Sequence, residues 1–199
     1  MNRKQTAILM SGLLVLAGCG SSADKTTPES AETETAVTET EREDPMEMIS
    51  GDPITAEEGY AFGFIGDRMS NAFFDFKVNS AETVESYEGL TAAEGNKLVV
   101  VNLTIQNTYQ GEIPMFANDF YLVYNWDEEL YADPVNGTDD TKTVGNMLPE
   151  EYTLKRKETV TGDAVYEISA DAADVTLIYD EYFENEEFGD SFMVDFTVK

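Results

Sequence analysis

The sequence predicts an all-β protein: an antiparallel β-sandwich over residues 59–199, carried behind a signal peptide and an acidic, disordered tether. Three observations lead there. Apolar side chains recur at every second position in six stretches after residue 70, the period of a strand with one buried face. No stretch sustains a helical period over three turns. Clusters of Gly, Asn, Asp and Pro, such as Gly95-Asn96 and Pro134-Val135-Asn136-Gly137, divide the runs as turns divide the strands of a sandwich.

Taken in order, the chain opens on a short basic stretch, Asn2-Arg3-Lys4-Gln5, followed by an apolar segment from Thr6 to Ala17 that ends in small residues. That is the layout of a secretory signal. The segment is too short for a bilayer span, which takes about 20 apolar residues. Its ending, Leu16-Ala17-Gly18-Cys19, holds the only cysteine of the 199 residues and resembles the lipobox of bacterial lipoproteins. The resemblance implies removal of residues 1–18 and a diacylglyceryl group on Cys19. Two acyl chains anchor a protein stably, where one does so only marginally. The expected location is therefore the extracellular face of the bacterial cell membrane, with Cys19 as the lipid attachment point rather than a nucleophile or metal ligand.

Residues 19–58 follow as the tether. From Gly20 to about Ile54 large apolar side chains are nearly absent, and Thr33-Glu34-Thr35 is echoed by Thr38-Glu39-Thr40. Such a composition buries too little surface to offset the entropy of ordering it. A coil of this length spans about 30–35 Å on average. The expected strands of residues 59–199 then carry Phe74, Phe76 and Val78; Val99, Val101, Leu103 and Ile105; Phe120, Leu122 and Tyr124; Val160, Ala164, Tyr166 and Ile168; Val175, Leu177 and Tyr179; and Phe192, Val194, Phe196 and Val198. The second run alternates with Val100, Asn102 and Thr104 and reads as the central strand.

In the same order, Phe73 through Ser80, Gly95 through Asn102, Asn107-Thr108, Asp119-Phe120, Leu154 through Gly162 and Asp174 through Tyr179 are similar to successive landmarks of the DUF4352 family. The resemblance covers nearly all of residues 60–199. It implies an immunoglobulin-like sandwich of the telokin-like or MPT63-like kind, common in lipoproteins of Gram-positive bacteria. It implies no activity and supplies no catalytic residues.

Composition narrows the chemistry. The chain has 12 basic and 40 acidic residues; the first 18 residues hold two of the bases and no acid, so the rest carries about −30. Such a field repels phosphate backbones, and no nucleic acid partner is expected. Histidine is absent, which removes the usual general base and the commonest metal ligand. No enzyme activity and no cofactor are expected. Two acidic clusters, Asp133 with Asp139 and Asp140, and Asp180 through Asp190, have the oxygen ligands calcium takes, but neither matches a calcium-loop pattern and both read as solvated loops. Tyr121, Trp126 and Tyr131 are candidate ligand contacts along one hairpin. Rings beside carboxylates suit carbohydrate, whereas the plainer expectation packs Trp126 over the sandwich edge. The overall expectation is a monomeric, lipid-anchored module that binds a protein or an envelope component without catalysis, with a carbohydrate-binding or calcium-stabilised domain as alternatives.

Overall fold

Alternation becomes strand throughout a computed structural model that describes residues 49–136, 143–183 and 188–199. The strands are β1 (Pro53–Ile54), β2 (Tyr60–Phe64), β3 (Arg68–Ser70), β4 (Phe74–Val84), β5 (Ser86–Tyr87), β6 (Leu90–Thr91), β7 (Asn96–Asn107) and β8 (Ile113–Phe116). A 3-10 turn, Ala117–Asp119, leads to β9 (Phe120–Tyr124), β10 (Asp127–Ala132), β11 (Glu151–Leu154), β12 (Thr159–Ser169), β13 (Asp174–Tyr182) and β14 (Phe188–Thr197). The first sheet has the order β1-β3-β4-β7-β12 and the second β10-β9-β13-β14-β2. Each of the six runs of alternating apolar residues lies in a strand of its own, with Val198 one residue past the end of β14. All central pairings are antiparallel; β1 joins β3 and β2 joins β14 in parallel.

The two sheets close on one apolar core, and the fold is an immunoglobulin-like β-sandwich. Val99, Val101, Leu103 and Ile105 point into it with no exposed surface. Aromatic rings fill its centre: Phe76 meets Phe120 edge to face at 5.2 Å, and Phe74 meets Tyr179 at 4.8 Å, the geometry the ring quadrupoles favour. The buried Tyr166 hydroxyl crosses between sheets to the Phe120 carbonyl.

Two expectations are corrected. Residues 49–58, read as tether, belong to the domain. Ile49 is buried and its N–H donates to Gln106 Oε1 at 3.1 Å, while Pro53 and Ile54 pair with Arg68 and Met69. Two isoleucines and a strand's worth of backbone partners suffice to seat a segment whose composition is otherwise that of a coil. Val100, grouped with the outward polar positions, is also buried. With Leu98, Val165 and Met147 it forms a second small core on the outside of the first sheet, roofed by side chains that include Tyr87 and Leu90. The expected signal peptide, Cys19 and the expected tether up to residue 48 lie outside the described residues. Among the described residues no helix is long and apolar enough to cross a membrane.

Candidate binding face

The strand β2 reads Tyr60-Ala61-Phe62-Gly63-Phe64, and its small residues face inward. Ala61 is buried, and a Cβ on Gly63 would come within 2.8 Å of the Met69 sulfur. With no room inside for anything larger, the alternation turns every large ring outward. Tyr60, Phe62 and Phe64 are 53%, 61% and 67% exposed. This inverts the usual sandwich strand, in which bulky apolar groups face the core and polar groups the solvent.

Register extends the stripe across the sheet. Phe62 lies opposite Met193, Met193 opposite Ile178, and Ile178 opposite Tyr121. These four side chains make a row in register over β2, β14, β13 and β9, about 14 Å wide at the spacing of neighbouring strands; Phe62 is its exposed end, Met193 and Tyr121 are half-buried and Ile178 is buried. On one side runs Phe64-Asp195-Thr176-Val123, and on the other Tyr60-Ser191-Asp180. The carboxylates in these flanking rows are tied down. Asp180 accepts from the Tyr121 hydroxyl at 2.7 Å and from Ser191 at 2.6 Å, and Asp195 accepts from Thr176 at 2.7 Å. Charge is thus present on the face but held off the central row.

The free edge of β2 is closed to strand addition. Glu57 and Tyr60 exchange both backbone hydrogen bonds, the Asp67 N–H donates to the Phe64 carbonyl, and the Phe64 N–H donates to Asp67 Oδ2 at 2.8 Å. Edge strands commonly protect themselves by covering or interrupting the ladder. A ligand for β2 therefore meets its rings, not its backbone.

The structure brings two of the three expected aromatic contacts to this face. Tyr121 ends the apolar row, with its hydroxyl engaged by Asp180. Tyr131, 42% exposed, lies opposite Val123 on β10 and so points to the same side. Trp126 does not pack over the sandwich edge as expected. It forms the tip of the β9–β10 hairpin, is 73% exposed, and follows Asn125 in a turn with φ of 57° and 55° at the two residues, the doubly positive pattern of a type I′ hairpin. Two tight residues cannot fold the ring back onto the sheet. The stripe on β2 carries no recognised motif; its signal in the sequence is large rings alternating with Ala and Gly, the reverse of every other run.

The acidic clusters do not assemble a cation cage among the described residues, where no three metal-ligating side chains converge. Asp133 is exposed; Asp139, Asp140, Glu184, Glu186 and Glu187 lie outside the described residues. Asn136 is a structural clamp: its amide donates to the Leu148 and Asp163 carbonyls and accepts from the Val165 N–H. Glu181 is buried and accepts from the Ala72 and Asp190 N–H groups. On the opposite side of the sandwich an open cleft borders Lys77, Asn79 and Gln106. Its polar groups already bond one another, Asn79 to Asn102 and Thr104, Gln106 to Thr159, and Lys77 to Ser50.

The model of a family described as a domain of unknown function, DUF4352, matches residues 64–188. Among solved structures the chain is similar to the ycdA lipoprotein candidate of Bacillus subtilis (14% identity, TM-score 0.49), covering 65% of this chain and 38% of that one. It is also similar to the yjhA protein of Bacillus subtilis (18% identity, TM-score 0.44; 69% of this chain, 98% of that one) and to a β-sandwich protein of Clostridium difficile (14% identity, TM-score 0.41; 67% and 92%). The chain thus spans well under half the length of the ycdA protein. No curated protein matches it.

Proposed function

The chain belongs to the DUF4352 family of domains of unknown function, and on that premise we propose that it is a lipid-anchored, non-catalytic binding module on the extracellular face of the bacterial cell membrane. Cys19 carries the lipid, the acidic segment ahead of residue 49 is the spacer, and the outer face of the second sheet takes a protein or another envelope component. One observation carries the reading: the fold leaves Tyr60, Phe62 and Phe64 in water, beside the half-buried Met193. A contiguous outward apolar patch marks an interaction surface more often than it serves the fold. Burying it is favourable at about 25 cal/mol per Å². Asp75 is paired with Arg68, and Glu181 is held by backbone amides.

A carbohydrate ligand is a second reading, favoured by the exposure of Trp126 at its hairpin tip. On the sheet itself Tyr60 and Phe62 stack against each other at 6.4 Å and 23°, so they show solvent their edges rather than the flat platform a sugar ring covers.

Binding of the purified chain, lacking its signal and lipid, to envelope fractions of the producing cell tests the proposal. Saturable co-sedimentation that is lost in the double variant Phe62→Ser, Phe64→Ser is expected. Loss in Trp126→Ala alone would move the site to the hairpin. Equal retention of all variants would remove both surfaces from consideration.

A further inference from the structure

We infer that the occupant of this face is a short cationic segment of another polypeptide, with lysine or arginine alternating with apolar side chains; the inference rests on reading the outer face of the second sheet as a binding surface. Charge is the first argument. The five strands of the second sheet contain eight Asp or Glu residues and no Lys or Arg, whereas those of the first sheet contain four acids and three bases, Arg68, Lys77 and Lys97. The strands of the second sheet are thus more acidic than those of the first; Glu181 among them is buried, and the acids in the rows flanking the stripe are Asp180 and Asp195. A partner that lays apolar side chains on Phe62 and Met193 brings its remaining side chains beside Asp180 and Asp195. An acidic or neutral partner would strip water from those carboxylates and leave them only their hydroxyl donors, whereas a cation adds an ionic partner to each.

Size is the second argument, and it separates a segment from a second copy of the chain. The stripe is about 14 Å across four strands and about 13 Å along β2, on the order of 200 Å², against roughly 800 Å² per partner in a stable protein interface. Two copies would also bring two acidic sheets together. The closed edge of β2 excludes strand addition, so the segment lies across the rings, with side chains supplying the contacts.

The experiment uses the full chain and three synthetic ten-residue peptides: alternating lysine and leucine, alternating glutamate and leucine, and alternating lysine and serine. Titration followed by fluorescence anisotropy should show binding of the lysine–leucine peptide alone, weakened by added salt and weakened at least about tenfold by Phe62→Ser. Thr161→Ala on the other sheet should leave it unchanged. Equal binding of the lysine–serine peptide would overturn the inference by reducing it to ion exchange. Binding of the glutamate–leucine peptide that still depends on Phe62 would overturn the cationic chemistry while keeping the face. Binding of no peptide, with Phe62-dependent self-association in sedimentation, would replace the segment with a second copy. If no peptide binds and no self-association occurs, the inference fails, and the face is then judged on envelope binding alone.

Discussion

Trp126 occupies a backbone position suited to glycine, since in a two-residue type I′ turn both central residues take positive φ and Asn-Gly is the favoured pair. Trp126→Gly should therefore raise stability by about 0.5–1 kcal/mol in thermal melts; a fall instead would mean that the ring makes contacts that stabilise the fold. Asp119 is a second residue under tension. Its carboxyl accepts the Phe116 N–H at 2.8 Å beneath the 3-10 turn, and burial raises its pKa from 3.8 to about 7. The fold thus holds the protonated acid more tightly than the unfolded chain does. The stability this contributes is complete below about pH 4 and is lost as pH rises through about 7. Asp119→Asn keeps an oxygen for Phe116 and has no charge to bury. Its melting temperature should match the wild type near pH 4 and exceed it at pH 8, by a stability difference on the order of 2–4 kcal/mol. Parallel pH profiles for the two proteins would show that Asp119 ionises without cost.

At the scale of elements, β7 is the best test of the core. Val101 lies between Ala81 and Ala164 with no exposed surface, while Thr104 faces outward and shares hydrogen bonds with Asn79 and Thr161. Val101→Asp should unfold the domain, because an unpaired buried carboxylate costs several kcal/mol of a total near 5–15. Thr104→Asp should cost less than about 1 kcal/mol. Equal melting temperatures would mean that the two faces of the strand are assigned the wrong way round. The same strand shows what could be read from sequence. Period-two runs with large inward side chains were legible, and they make up β4, β7, β9, β12, β13 and β14. Leu98 and Val100 break the rule because a hairpin and a later loop roof that end of the sheet, a long-range event with no local signal. β1 and β3 are too short to show a period. β2 does alternate, but its large side chains face water, and only the crowding of Gly63 against Met69 shows why. For the same reason Tyr121 and Tyr131 could be named from their proximity in the hairpin, while Phe62, Phe64 and Met193, which join them only through sheet order, could not.

Over the whole molecule, the two outer faces differ in what they expose. The described chain begins at Ile49 on the outside of the first sheet, next to Gln106 and Lys77, and the aromatic stripe lies on the outside of the second. The formal net charge of −28 gives a field that favours approach by cations at low salt. The first sheet's outer surface, by contrast, is occupied by its own hydrogen bonds and by the second small core. The most direct measurement of the central claim is carbene footprinting of the anchored chain on intact cells, set against the purified chain in solution. Labelling at Tyr60, Phe62, Phe64 and Met193 should fall several-fold on cells, while labelling around Asn79, Thr104 and Thr161 should stay the same. Equal labelling of the aromatic face in both settings would contradict the account.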